Sequence, residues 1–497
     1  MLFNSFEFLI FFPIVCLIYF AIPKKVKWIW LLLASYYFYM CWNPRYALLM
    51  FASTLITWLS GIFIDKFNSI TNPQKAQLYK NITVGVSFAS NLAILFFFKY
   101  FDFAVDSVNA LLSLFNITIR PPKFDVILPV GISFYTFQAL SYTMDIYRRE
   151  ISCERNLFRY MLFVSFFPQL VAGPIERSKN LICQLREEHS FDAARVKSGL
   201  MLMLWGFFQK LVIADRAAIV VNTVYADYAS YGGLEIAIAT ILFALQIYCD
   251  FASYTDIAKG AARVMGFNLM DNFRQPYFSK NIAEFWRRWH ISLSGWFRDY
   301  LYIPLGGNRK GTFRKYLNIM IVFLASGLWH GANLTFLIWG ALHGMYQIAG
   351  SLTLNIRNKL WKKIGIKKDS KIRLFTQISF TFCLVCFGWI FFRADSLSDA
   401  FGIIHSAFSS FRLRAFMGET VLGMGLDIKN LVVLGIAFLV LLLADFMKSK
   451  NIGMNIYILS RPLIIRWSLV FILLFTVLIF GIYGPGYNES QFIYFQF

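Results

Sequence analysis

Long stretches of this chain carry almost no polar residue. Phe6–Ile22, Trp28–Trp42, Tyr46–Ile64, Ile82–Phe98, Phe375–Phe392, Leu431–Leu443 and Leu463–Gly481 are such runs. Several approach the roughly 20 apolar residues that cross a bilayer as a helix. A spanning segment must satisfy its own backbone, and the alternating pattern of barrel strands is absent, so helices are expected. The pattern predicts an all-α, polytopic membrane protein with about ten to twelve crossing or re-entrant segments. Phe6–Ile22 reads as the first of them, because it lacks the basic start and small-residue cleavage site of a signal peptide. No repeat, linker or low-complexity stretch divides the sequence. One domain over 1–497 is expected, with N-terminal helices in 1–120, a motif-bearing core in 121–350, and C-terminal helices with an aromatic tail in 351–497.

Composition agrees with that picture. The chain is 58% hydrophobic and 19% aromatic, and only 15% of it is charged, against about a quarter in soluble domains. The formal net charge of +21 could suggest nucleic acid, but there is no soluble basic domain to bind it. Cytoplasmic loops and anionic lipid account better for the excess. Lys24, Lys25 and Lys27, then Lys66, Lys75 and Lys80, the stretch Arg357–Arg373, and Lys448 with Lys450 form the basic clusters. Placing these in the cytoplasm puts the N-terminus and the tail Gly484–Phe497 outside a cell membrane. The seven cysteines (16, 41, 153, 183, 249, 383 and 386) show no metal-ligand spacing, so no metal site is expected and packing is the better reading.

Ionisable groups within apolar sequence are costly and point to function. Of the five histidines, His330 lies in IMIVFLASGLWHG, between Gly327 and Gly331. A neutral imidazole there could accept a proton near neutral pH; a packed, hydrogen-bonded histidine is the plain alternative. His343, in WGALHG, would face about 140° away from His330 on one continuous helix, although Gly331–Asn333 suggests a bend. A structural or pocket-lining role suits it. His290 lies in AEFWRRWHISLSGWFRDYL, where Trp286, Trp289, Leu293, Trp296, Phe297 and Tyr300 recur at helical spacing. An interfacial amphipathic helix explains the stripe but not a histidine within it.

PLGGNRKG at 304–311 could cradle phosphates, or be an ordinary basic turn. With Arg287, Arg288, Arg309 and Lys310 it could hold a polyanion such as coenzyme A. Asp250 and Asp256 close an apolar run and suggest a structural ion pair or a group that orients a histidine. Glu176 and Arg177 in VAGPIER read alike. No nucleophile elbow, P-loop, dinucleotide fingerprint or zincin motif occurs.

These motifs resemble the membrane-bound O-acyltransferase family, within it the bacterial alginate O-acetyltransferase-like branch. The likeness covers nearly the whole chain and is strongest over Leu128–Gly350. It rests on LPVGISFYTFQALSY at 128–142, FFPQLVAGPIER at 166–177, QIYCDFASYTDIAKG at 246–260, FWRRWHISLSGWFRDYLYIPLGGNRKG at 285–311 and GLWHGANLTFLIWGALHG at 327–344. The resemblance implies helices around a central tunnel, with His330 as the essential residue and His290 as a second functional histidine. It implies acetyl-coenzyme A as a cytoplasmic acyl donor, with no permanently bound cofactor. An extracellular or periplasmic partner protein and a polysaccharide acceptor are implied too. The tail FIYFQF at 492–497 resembles an aromatic motif of related acylating systems, in which Tyr494 would relay the acyl group; an interfacial aromatic anchor is the plain alternative.

The expected chemistry is proton removal by His330 from a hydroxyl attacking the thioester, with Asn333 or His290 steadying the oxyanion. A transporter or flippase for a glycan or lipid-linked precursor, or a scaffold for a synthase, would use similar helices. Neither requires the two Trp–His motifs.

Overall fold

The helix starts are written locally. Asn43 and Asn72 each precede a proline. Asn43 accepts from Arg45 N at 3.0 Å, and Asn72 from Gln74 N and Lys75 N at 3.0 and 3.1 Å. A capping side chain serves the first-turn amides, and proline at the first helical position removes a donor that would otherwise go unmatched. These signals open the helices Pro44–Phe67 and Pro73–Lys99.

The computed structural model describes all residues except 118–127, 172, 410–421, 485–491 and 494–497. Among the described residues there is no β-strand, and seven helices are long and apolar enough to cross a membrane. Besides the two above they are Ala193–Ala226, Gly233–Met265, Lys371–Arg393, Ile428–Ser449 and Leu463–Phe480. Shorter apolar helices such as Phe6–Ala21 accompany these seven. The run at Trp28–Trp42 becomes the 14-residue helix Lys27–Met40, about 21 Å long against a hydrocarbon core of about 30 Å. The outer faces of the long helices stay apolar. Ile464 and Ile479 on Leu463–Phe480 are 80% and 68% exposed, a surface that suits lipid rather than water.

The chain forms two compact units, Met1–Leu200 with Ala258–Met270, and Met201–Ile257 with Asp271–Phe497. Polar rungs tie the first unit together. Ser53 bonds Asn91 at 2.5 Å, and Tyr160 bonds Thr57 at 2.8 Å between buried side chains. Such pairs are a usual glue between helices in lipid. The core of the second unit is aromatic. Trp286, Trp289, Trp339, Trp389 and Phe392 are buried there together.

The segment around His290 is not the single interfacial helix that its apolar stripe predicts. It breaks into Ile282–Arg288 and Ile291–Phe297, followed by a π-helical turn over Arg298–Tyr302. Trp286, Trp289, Leu293, Trp296 and Phe297 are all buried. Burial on several sides, rather than an interface on one, accounts for the stripe.

Candidate functional site

The site lies in the second unit and begins with a helical hairpin. Helix Gly311–His330 ends at the histidine, and Leu334–Leu352 returns antiparallel to it. Asn333 makes the turn. Its Oδ1 accepts from Thr335 N at 3.1 Å and its Nδ2 donates to the Asp395 carbonyl at 3.0 Å. Glycines then let the helices meet. A Cβ on Gly327 would lie 2.3 Å from the Phe336 carbonyl oxygen, and one on Gly340 would lie 2.3 Å from that of Phe323. Only backbone-to-backbone packing fits such an approach. His330 is thereby fixed at the end of a rigid element and is 5% exposed.

His290 occupies the break between the two short helices. Its φ of 43° and ψ of 55° lie in the left-handed region, which histidine tolerates better than bulky residues do. Asn272 secures this conformation. Its carbonyl accepts from Ile291 N at 2.9 Å, and its Oδ1 accepts from Ser292 Oγ at 2.6 Å and Ser292 N at 3.3 Å. The next helix is therefore anchored directly after the histidine. The imidazole is fully buried, and that burial favours its neutral form. Phe251 packs edge-on against it at 4.6 Å between ring centroids.

The two imidazoles face one another with centroids 6.4 Å apart and ring planes at 61°. Trp329 lies against both, at 5.9 and 5.0 Å. Trp339 packs on His330 at 5.2 Å and on His343 at 5.0 Å. His343 thus joins the cluster through an indole. Its Nδ1 accepts from Trp286 Nε1 at 3.2 Å. An indole N–H can only donate, so the proton of neutral His343 is on Nε2.

The other sequence candidates divide. Arg287, Arg309 and Lys310 are exposed, whereas Arg288 forms a 2.6 Å ion pair with Glu284 one turn back. The glycine turn is built rather than loose. Gly306 has φ +105°, and Asn318 donates to the Gly307 carbonyl at 2.9 Å. Asn333 spends its amide on the hairpin turn. Asp250 pairs with Lys210 at 2.6 Å and accepts from Ile493 N at 2.8 Å, a structural use rather than the orientation of a histidine. Asp256 accepts from Gln209 at 3.1 Å. Glu176 accepts from Asn180 Nδ2 at 2.7 Å and from Met270 N at 2.5 Å. Tyr494 lies outside the described residues, but Phe492 and Ile493 before it are buried, with Phe492 stacked on Tyr254 at 4.0 Å.

Sequence reasoning missed Asn272 and Lys210. Lys210, fully buried between Asp215 at 2.9 Å and Asp250, did carry a signal, since it is a charge within an apolar helix. Nothing in the stretch MDNFRQPYF marks Asn272, whose partners come from tertiary structure.

Helices with lipid-suited outer faces, and two buried imidazoles brought together by tertiary packing, describe a multi-pass membrane protein with a buried histidine pair. Residues 80–392 match the profile of MBOAT, the membrane-bound O-acyltransferase family. A relative in Pseudomonas putida, "Probable alginate O-acetylase AlgI", is 37% identical over 518 residues, covering 100% of both chains. "Peptidoglycan O-acetyltransferase" of Helicobacter pylori is 32% identical over 81% of this chain and 79% of its own. "Teichoic acid D-alanyltransferase" of Bacillus subtilis is 27% identical over 54% and 70%. The chain belongs to the membrane-bound O-acyltransferase family, in its alginate O-acetylase-like branch, and is a membrane O-acyltransferase.

Proposed function

We propose that this protein moves an acetyl group from cytoplasmic acetyl-coenzyme A across the membrane for O-acetylation of an extracellular polysaccharide, with His330 as the base. The observation that carries the reading is the pair of buried imidazoles, 6.4 Å apart on separately anchored elements. The acceptor hydroxyl oxygen attacks the thioester carbonyl carbon while His330 takes the hydroxyl proton. The tetrahedral intermediate then collapses, the carbon–sulfur bond breaks, and the proton passes to the departing thiolate. Such proton transfer contributes about 10²–10⁴ in rate. His290, buried and neutral, serves as the second polar group, donating to the oxyanion or positioning the acceptor. The aromatic rings packed around His330 strengthen these contacts and limit loss of the thioester to water.

Several observations support the remaining parts. Exposed Arg287, Arg309 and Lys310 offer charge to the phosphates of the donor. The names of the relatives, which include alginate and peptidoglycan acetylation, favour a polysaccharide acceptor, and an extracellular or periplasmic partner completes the proposal. The buried anchor at Phe492–Ile493 suits a tail that carries Tyr494 as an acyl relay. Basic clusters read as cytoplasmic support an outside position for both termini.

The test is acetyl transfer from acetyl-coenzyme A by purified protein, wild type against His330→Ala, with folding checked by monodisperse elution. Transfer that disappears in the folded variant supports the reading. Equal transfer by both proteins removes His330 as the base.

A further inference from the structure

Away from the histidine pair, the second unit contains a groove of about 530 Å3 between the helices Ile428–Ser449 and Leu463–Phe480. Trp205, Phe208 and Ala437 form a buried floor, while Ile436, Leu443 and Ile472 form exposed rims. The lining is almost wholly apolar. Along the first helix it runs from Val433 to Met447, about 21 Å at 1.5 Å per residue. That exceeds one leaflet of a hydrocarbon core about 30 Å thick. The groove thus matches an extended hydrocarbon chain lying along the helices and open sideways to the bilayer.

One end differs from the rest. Lys448 directly follows Met447, and its ammonium lies 5.8 Å from the Trp205 ring centroid. The Arg461 guanidinium stacks 3.8 Å above the Tyr457 ring, which also lines the groove. Two donors at this end are buried and have no hydrogen-bond partner among the described residues, Trp205 Nε1 and Arg461 Nε. Asp445, three residues before Lys448, accepts from the Tyr248 hydroxyl at 2.9 Å. A buried donor without a partner costs free energy unless something accepts from it. Two cations and two unmatched N–H groups at the mouth of an apolar groove call for an anionic oxygen group attached to a hydrocarbon chain.

We propose that this groove binds one acyl chain of an anionic phospholipid, with the headgroup phosphate held by Lys448, Arg461 and the Trp205 indole N–H. The chain fills the apolar channel and the phosphate closes its charged end. Basic residues near a membrane surface each favour an anionic lipid by an amount corresponding to about fivefold in affinity.

The test is native mass spectrometry of the full chain in detergent with equal amounts of dioleoyl phosphatidylglycerol and dioleoyl phosphatidylcholine. The expected result is a single lipid adduct of wild type, enriched in phosphatidylglycerol by at least about fivefold. Lys448→Ala and Arg461→Ala should each lower that enrichment by about fivefold. Val440→Trp, which fills the groove from its rim, should remove the adduct of either lipid. Equal adducts of the two lipids on wild type, or enrichment unchanged in Lys448→Ala/Arg461→Ala, overturns the proposal. So does an adduct that persists in Val440→Trp.

Discussion

His290 and His330, about forty residues apart in sequence, stand with their rings 6.4 Å apart and share contact with Trp329. Neither belongs to the other's element. One ends a long helix and the other fills a break between two short ones, so the pairing is a product of the tertiary fold. A pair that acts as one unit gives non-additive losses on mutation. His330→Ala should lower acetyl transfer by about 10²–10⁴, and His290→Asn should also impair it while keeping the left-handed backbone that asparagine accepts. The double variant should be little worse than the poorer single one, measured as turnover of acetyl-coenzyme A by protein of matched elution profile. Losses that multiply would mean two independent roles.

Asn272 anchors the backbone that follows His290. Its three bonds to Ile291 and Ser292 set the start of the helix that follows. Removing the side chain strips Ser292 of a buried partner, a cost of about 1–3 kcal/mol. Asn272→Ala should therefore lose activity in excess of its loss of stability, because the imidazole shifts. Asn272→Asp retains the acceptor and should restore part of kcat. Equal activity for Asn272→Ala and wild type, once corrected for folded fraction, would refute a positioning role.

Much of this arrangement was legible in advance. The apolar runs pointed to membrane helices, and the Trp–His motifs pointed to His290 and His330. The break at Trp289–His290 was not legible, because the stripe from Trp286 to Tyr300 has the same spacing whether one helix or two short ones carries it. Its cause is distant in sequence, in Asn272. The bend suggested by Gly331–Asn333 is present, and it turns the nominal 140° between His330 and His343 into a contact relayed by Trp339. Which apolar segments cross the membrane was less legible, because apolar sequence marks burial, and burial within protein looks the same as burial in lipid.

Lys210 stands between Asp250 and Asp215, all three almost fully buried. Removing one partner of a buried ion pair leaves an uncompensated charge and costs about 3–5 kcal/mol. Lys210→Met strands two carboxylates, whereas Asp250→Asn leaves the lysine its bond to Asp215. Lys210→Met should thus lower the thermal midpoint more than Asp250→Asn does. Combining Lys210→Met with Asp250→Asn should recover part of the loss. Thermal unfolding of the detergent-solubilised protein checks the order, and a milder effect for Lys210→Met would contradict it.

Glu176, outside the long apolar helices, supplies a pH dependence in the first unit. Burial raises its carboxyl from an ordinary 4.5 to about 7, partly offset by hydrogen bonds from Asn180, Met270 and Arg177 and by the charge of Lys259. The folded state therefore binds a proton more tightly than the unfolded chain does. Its contribution to stability is complete below the unfolded value near 4.5 and is lost as pH rises through about 7. Between those values wild type should become less stable with rising pH, by an amount set by this one group. Glu176→Gln carries no titrating proton there and should flatten that part of the curve, while still accepting from Met270 N. Thermal midpoints of both proteins between pH 5 and pH 8 decide the matter. Parallel curves would show that Glu176 keeps its charge in the folded state.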